Sequence, residues 1–85
     1  MLNRIKTNML ITHDKLDSVI QNNIDACLID LKRMGVAPKE KDELITKAAE
    51  LYCKWQLNFC GEGEKYEKAY YKLSDALALC GDYNA

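Results

Sequence analysis

The sequence predicts an all-α fold: a small helical bundle with three main helices, over residues 14–34, 42–59 and 64–80. Two observations predict it. Apolar residues recur every three or four positions in each stretch, as on the buried face of an amphipathic helix. Glycines interrupt the chain where each stretch ends, and no strand-like alternation of useful length occurs. The chain is 85 residues long, 48% hydrophobic and 29% charged, so we expect a single domain over residues 1–85.

The stretch 42–59 is predicted to be the central helix. Its polar residues form one narrow strip, and nearly all the others are apolar. The strip consists of Glu43, Lys47, Glu50, Lys54 and Asn58. A lone surface helix buries a single stripe, whereas so wide an apolar arc needs cover from two sides. We therefore expect this helix to lie between the other two, with Asp42 as its N-terminal cap and Trp55 buried.

The first helix, residues 14–34, begins where Thr12 or Asp14 could cap free backbone N–H groups. Its apolar stripe consists of Leu16, Ile20, Ile24, Cys27, Leu28, Leu31 and Met34. Gly35 supplies a left-handed stop. The connection that follows is short enough to make the first two helices antiparallel neighbours.

The third helix, residues 64–80, follows a glycine-containing break at residues 60–63. Its stripe consists of Tyr66, Tyr70, Leu73, Leu77 and Cys80. Gly81 ends it, and residues 82–85 form a short tail. At the other end of the chain, residues 1–11 include helically spaced apolar residues. We expect this segment to pack on the domain and to be a possible docking or oligomerisation arm.

Composition and motifs argue against several classes of function. A net charge of −1 does not suggest a polybasic nucleic-acid surface, and no apolar run reaches the ~20 residues of a membrane span. The N-terminus lacks the apolar core of a signal peptide, so we expect an intracellular protein. No phosphate-binding glycine loop, zinc-protease motif or nucleophile elbow is present. We expect no enzymatic activity, no cofactor and no metal site.

The chain has four cysteines: Cys27, Cys53, Cys60 and Cys80. No two of them form a CxxC motif, and His13 is the only histidine that could join them in a metal site. The favoured interpretation is that they are small hydrophobic residues in a reducing compartment, with Cys27, Cys53 and Cys80 on or beside apolar faces. A metal-binding or disulfide role stays open.

Several apolar residues lie outside the three buried stripes and are candidates for a protein–protein surface. Tyr71 is the favoured anchor, because tyrosine is enriched at the centres of interfaces. The full set of interface candidates is Met9, Leu10, Ile11, Ile29, Leu57, Tyr71, Leu79 and Tyr83. A ring subunit needs two different faces, which Ile29 and Tyr71/Leu79 could supply from different helices.

The order of these signals resembles a known family. The acidic start HDKLD at residues 13–17 is followed by LIDLKRMGV (28–36), DELITKAAELYCKW (42–55) and EKYEKAYYKL (64–73). This order is similar to that of the small head–tail connector, or adaptor, proteins of long-tailed bacteriophages and prophages, often labelled DNA-packaging proteins. The resemblance spans residues 9–83, and it rests on order and spacing rather than on a catalytic motif.

The resemblance implies a structural virion protein at the head–tail interface, present in the host cytoplasm before assembly. Its subunits would form a ring under the portal protein, extend the DNA channel and dock a tail-completion protein. DNA would pass through the lumen without being read, and no membrane is involved. Two other classes stay open at this stage: a small helical DNA-binding regulator and a generic protein-binding module.

Overall fold

The computed structural model describes residues 1–37 and 42–81, and four α-helices occupy most of these ranges. They are α1 (Leu2–Asn8), α2 (Asp17–Arg33), α3 (Glu43–Gln56) and α4 (Gly63–Leu79). A 3-10 turn at Phe59–Gly61 precedes α4. The all-α prediction is confirmed. In addition to the three main helices, the structure has a short fourth helix, α1, before them. None of the helices described here is both long enough and apolar enough to span a membrane.

Helix α3 is the centre of the fold, as its wide apolar arc predicts. It contacts α2, α4 and α1. Asp42 caps it, as predicted, because its side chain accepts hydrogen bonds from the backbone N–H groups of Leu44 (2.8 Å) and Ile45 (3.4 Å). Trp55 is partly buried against the core rather than fully enclosed. The fully buried side chains come from all four helices and include Ile5, Ile20, Leu31, Ile45, Cys53 and Tyr70.

The predicted start of the first helix is wrong by three residues. Leu16 occupies the N-cap position of α2 and no side chain caps that end, so neither Thr12 nor Asp14 plays the expected role. The chain turns before the helix instead, with the N–H of Asp17 donating to the carbonyl of Asp14 at 3.2 Å. Asp17 then pairs with Lys6 of α1 at 2.6 Å. The start of α2 therefore has an ion pair with α1 in place of the side-chain cap that the sequence predicted.

Each of the first three helices ends with a residue in the left-handed conformation. Gly35 has φ +90° after α2, as predicted, and Asn58 has φ +49° after α3. After α1 the same position is held by Leu10, with φ +60°. The N–H of Ile11 donates to the carbonyl of Lys6 at 2.9 Å, which is the hydrogen bond of a Schellman motif. Glycine is the usual residue at that position, so Leu10 is the exception of the three.

The polar strip of α3 is not a solvated face along its whole length. Helix α1 lies over it: Arg4 pairs with Glu43 at 2.6 Å, and Asn8 donates to Glu50 Oε1 at 2.5 Å. Glu50 is only 4% exposed and is also paired with Lys54 at 3.0 Å. A charged residue is normally found buried only when it is paired. Sequence spacing alone could not show that a seven-residue helix would cover this strip.

The cysteines differ in their surroundings. Cys27 and Cys53 are buried, and burial raises the pKa of each thiol to about 12. Cys80 is half-buried and Cys60 is exposed, and all four are free thiols. Within residues 1–37 and 42–81 there is no group of three or more His, Cys, Asp or Glu side chains placed to hold a metal ion.

Candidate interaction surface

Four aromatic side chains of α3 and α4 pack into one cluster, which we call the aromatic ledge: Tyr52, Trp55, Tyr70 and Tyr71. Ring centroids are 5.4 Å apart for Tyr52–Trp55, 5.2 Å for Tyr52–Tyr70 and 5.6 Å for Trp55–Tyr71. The first two pairs are edge-to-face, an arrangement that adds stability beyond the area buried. The ledge is therefore a rigid feature made by two packed helices.

Tyr70 anchors the ledge to α2. Its side chain is fully buried, and its hydroxyl donates a hydrogen bond to Asp30 Oδ2 at 2.7 Å. The thiol of Cys27 lies 3.9 Å from the same hydroxyl, and Arg33 pairs with the other oxygen of Asp30 at 2.6 Å. Burial, followed by the hydrogen bond to the Asp30 carboxylate, raises the pKa of Tyr70 well above its usual range. The hydroxyl is thus a fixed neutral donor that joins α4 to α2.

The outer edge of the ledge reaches solvent. Tyr71 is 45% exposed, whereas Tyr52 and Trp55 are half-buried. Glu67 and Asp75 lie one turn before and one turn after Tyr71 on α4. Neither carboxylate has a hydrogen bond or ion pair with another residue in the part of the chain that the structure describes. Lys68 and Lys72 also lie beside Tyr71 and are exposed, so the outer edge of the ledge combines an aromatic ring with side chains of both charges.

Two other polar features are explained by the fold itself. Lys54 lies 5.5 Å and 5.3 Å from the ring centroids of Phe59 and Tyr66 while it pairs with Glu50. An open cleft of about 330 Å³ between α1 and α3 is lined by Arg4, Asn8, Glu43, Thr46, Lys47 and Glu50. The charged groups of this cleft pair with one another, so they serve to hold α1 against α3.

The structure distributes the predicted interface residues over several environments. Leu10 (86%), Ile29 (70%), Leu79 (88%) and Tyr71 are exposed, whereas Ile11 and Leu57 are half-buried against the core. Met9 is a core residue, 3% exposed, because it packs inward at the end of α1. Tyr83 lies outside the described residues. The structure brings none of the exposed ones together into a single patch by any contact that it records.

Sequence reasoning missed part of this surface. Val19 and Leu44 are also exposed. Leu44 belongs to the apolar arc of the central helix, whereas Val19 lies outside the stripe of the first helix and was not singled out. Glu67 and Asp75 were not singled out, although their positions four residues before and after Tyr71 are visible in the sequence. The sequence does contain a signal that could have found them. Glu67 and Asp75 each lie four residues from Tyr71, and neither has a basic residue four positions away with which to form an ion pair.

Comparison with known proteins gives one finding. A family model described as Phage connector protein matches residues 1–84, almost the whole chain. No curated protein and no solved structure gives a significant match. The match confirms the resemblance seen in the order of the sequence motifs, and connectors are structural rather than enzymatic components of the phage. The chain therefore belongs to the phage connector protein family.

Proposed function

We propose that this protein is a head–tail connector subunit that assembles as a ring under the portal protein. In this role it extends the DNA channel and provides the platform on which a tail-completion protein docks. The observation that carries the proposal is the family match over residues 1–84. The protein acts in the virion at the head–tail interface, after synthesis in the host cytoplasm.

Exposed apolar residues on several elements support an assembly role. Leu10 follows α1, Ile29 is on α2, and Tyr71 and Leu79 are on α4. Single exposed apolar residues are ordinary, but a connector has to contact neighbours on both sides as well as proteins above and below it. We assign these residues, together with Leu57 and Ile11 at their margins, to those contacts.

The charge of the chain supports passage of DNA without readout. The formal net charge is −1, and helix α4 carries three basic and three acidic residues. A strongly basic lumen would bind DNA through counterion release, and that binding would fall steeply with salt concentration. A near-neutral wall lets the duplex slide through. We expect no salt-sensitive affinity of the free protein for double-stranded DNA.

Assembly on a portal is the direct test. Purified portal rings would be mixed with this protein, separated by size and imaged by negative stain, with the mass of free protein followed by light scattering over a wide concentration range. We expect an added layer of density on one end of the portal. The proposal would be rejected if the protein did not bind the portal and instead bound DNA with an affinity that falls with salt. That result would favour a DNA-binding regulator.

A further inference from the structure

We propose that helix α1 is an exchangeable arm: in the assembled ring, the α1 of one copy occupies the α1 site of the next copy. The inference rests on the proposed ring assembly and names the segment that joins neighbouring subunits. Three features of the described residues support it: the contacts that hold α1, the connector formed by residues 10–16, and the backbone conformation of Leu10.

The site that receives α1 combines polar and apolar contacts. Three side chains of α1 bind acidic side chains of α2 and α3. These contacts are Arg4–Glu43 at 2.6 Å, Lys6–Asp17 at 2.6 Å and Asn8–Glu50 at 2.5 Å. Ile5 and Met9 enter the core, where they are 0% and 3% exposed. Another copy of the chain presents the same partners, so the same contacts form whichever copy supplies α1.

Helix α1 depends on this site for its structure. It has seven residues, whereas an isolated helix in water is marginal even at about 12–15 residues. An arm that leaves its own site therefore has to enter another one to remain a helix. The α1 site of a second copy is a surface that the structure itself shows to fit this segment.

The connector is held only loosely to the rest of the fold. Its backbone N–H groups donate within α1 or within the connector: Leu10 to the carbonyl of Thr7, and Ile11 to the carbonyl of Lys6. Among the described residues, no hydrogen bond or ion pair joins residues 10–16 to α3 or α4. Only the half-buried side chains of Ile11 and Leu16 pack against the core. The connector can therefore be extended without breaking a hydrogen bond to the central helix.

The connector is also long enough to reach a neighbouring copy. Eight residue steps separate Met9 from Asp17, and an extended chain advances about 3.3–3.6 Å per step, so the reach is about 26–29 Å. The described part of the chain measures 37 × 24 × 18 Å. Equivalent sites in copies packed side by side are separated by about the width of one subunit. The two shorter dimensions both lie within the reach of an extended connector.

The conformation of Leu10 favours the extended connector. Its φ of +60° is left-handed, where the Cβ of an L-residue is crowded, and its side chain is 86% exposed, so no burial offsets the crowding. The residue reverses the chain after α1, as Gly35 and Asn58 do after α2 and α3. A connector that runs on to the next copy does not need this reversal. Exchange therefore releases the crowding, and strained hinges of this kind favour domain swapping.

The proposed assembly decides which form is favoured. Closed and exchanged forms contain the same α1 contacts, so they differ in the connector and in the entropy of bringing copies together. A free subunit keeps its own arm, because a tethered segment has an effective concentration of about 1 mM or more at its site. Copies held side by side on a portal have already lost that entropy, and release of Leu10 then favours exchange. Exchange in one direction around a closed ring leaves no site empty.

Crosslinking between two copies tests the exchange. Arg4 and Glu43 form an exposed pair across the α1 site. A short bis-maleimide should therefore join Arg4→Cys in one copy to Glu43→Cys in another where the arm is exchanged. Both chains also carry serine in place of the accessible cysteines Cys60 and Cys80. The two chains, one of them isotope-labelled, are refolded together from urea at about 1 mM, comparable to the effective concentration of the tethered arm, and are also loaded together on portal rings. Mass spectrometry identifies adducts between copies.

Two controls establish the geometry. Arg4→Cys and Glu43→Cys combined in one chain, at high dilution, should give an intrachain adduct, which shows that the reagent spans the pair. Lys68→Cys, at an exposed residue of α4 outside the α1 site, should give no specific adduct with position 4. Circular dichroism melts check that each variant is folded.

A change at the hinge tests the role of Leu10. Leu10→Gly removes the crowding from the closed form alone, so it should favure the closed form without altering the α1 contacts. The ratio of intercopy to intrachain adduct, measured in mixed labelled and unlabelled copies of the double-cysteine chain, should fall about 5- to 30-fold.

Two results would overturn the inference. The first is the presence of intrachain adducts alone in both the refolded mixture and the portal-bound copies. The second is a Leu10→Gly ratio that is unchanged or higher. Portal-bound rings that contain only intrachain adducts would reject arm exchange and leave the proposed connector function intact. Failure to bind a portal would count against the function itself, and the refolded mixture would still decide whether the arm is exchanged.

Discussion

Replacing Tyr70 with phenylalanine tests the link between α4 and α2. The substitution keeps the buried ring and removes only the hydroxyl, which donates to Asp30 Oδ2 at 2.7 Å. A hydrogen bond to a charged group contributes about 1.5–3 kcal/mol to stability. The Asp30 side chain is about 20% exposed and keeps Arg33 as a partner, so water can replace part of the loss. We therefore expect the free energy of unfolding to fall by about 1.5–2 kcal/mol.

Urea denaturation followed by circular dichroism and by Trp55 fluorescence measures this change. For a domain of this size each kcal/mol corresponds to a shift of about 4–8 °C in Tm, so a thermal melt should fall by roughly 6–16 °C. The matched control is Tyr71→Phe. Its hydroxyl has no hydrogen bond among the described residues, so the control should change stability by less than about 0.5 kcal/mol.

A double-mutant cycle shows whether the effect passes through Asp30. In an Asp30→Ala background the hydroxyl of Tyr70 has lost its acceptor, and Tyr70→Phe should then cost little or even stabilise the fold. We expect a coupling energy of about 1–2 kcal/mol between the two positions. Equal effects of Tyr70→Phe and Tyr71→Phe, or a coupling energy near zero, would refute the assignment of this hydrogen bond as the α2–α4 link.

Three further predictions concern the buried carboxylate of Glu50, the left-handed residues that follow α1 and α2, and the glycine at the start of α4. Burial alone would raise the pKa of Glu50, but the hydrogen bond from Asn8 and the attraction of Lys54 outweigh it and lower that pKa below its ordinary value of 4.5. The stability that Glu50 contributes is therefore present above pH 4.5 and lost as pH falls through the lowered pKa; Glu50→Gln should flatten this part of the stability–pH profile, and an unchanged profile would contradict the prediction. Leu10→Gly should raise the free energy of unfolding by roughly 0.5–1 kcal/mol in urea denaturation, because glycine accepts φ +60° without crowding, while Gly35→Ala should lower it; equal signs for the two would be inconsistent with left-handed caps at both positions. Gly63→Ala should cost about 1–3 kcal/mol in the same assay, because the added Cβ would lie 2.8 Å from Asn58 Oδ1 and 3.1 Å from the carbonyl of Trp55, whereas Gly81→Ala meets nothing within 4 Å and should be neutral.

Much of the fold could be predicted because it depends on local periodicity. The apolar arc of α3 is so wide that only a central position can bury it, and the structure places α2, α4 and α1 around it. Asp42 and Gly35 acted as predicted because a cap and a left-handed stop depend on one residue and its immediate backbone. The family could be inferred as well, since it is carried by the order of helical segments along the chain.

The candidate site was predictable only in part. Tyr71, Ile29 and Leu79 stand outside the buried stripes, and helical spacing places them on the surface, where the structure has them. Met9 is apolar and was likewise predicted to lie at the surface, but it is buried, because the turn after α1 directs Met9 inward and Leu10 outward. A shift of one position along the chain decides there whether a side chain is in the core or on the surface. A seven-residue helix is too short for its apolar periodicity to predict that choice.

The three main helices, the central position of α3 and the family could all be predicted from the chain alone, because helical periodicity and the order of segments are local properties. Three other features follow from packing between helices: α1 covers the strip around Glu50, Tyr70 of α4 reaches Asp30 of α2, and Tyr71 rests on Trp55. These contacts join residues that are 16 to 42 positions apart. Their partners are set by how whole helices pack, which depends on the summed burial of the core rather than on any one segment.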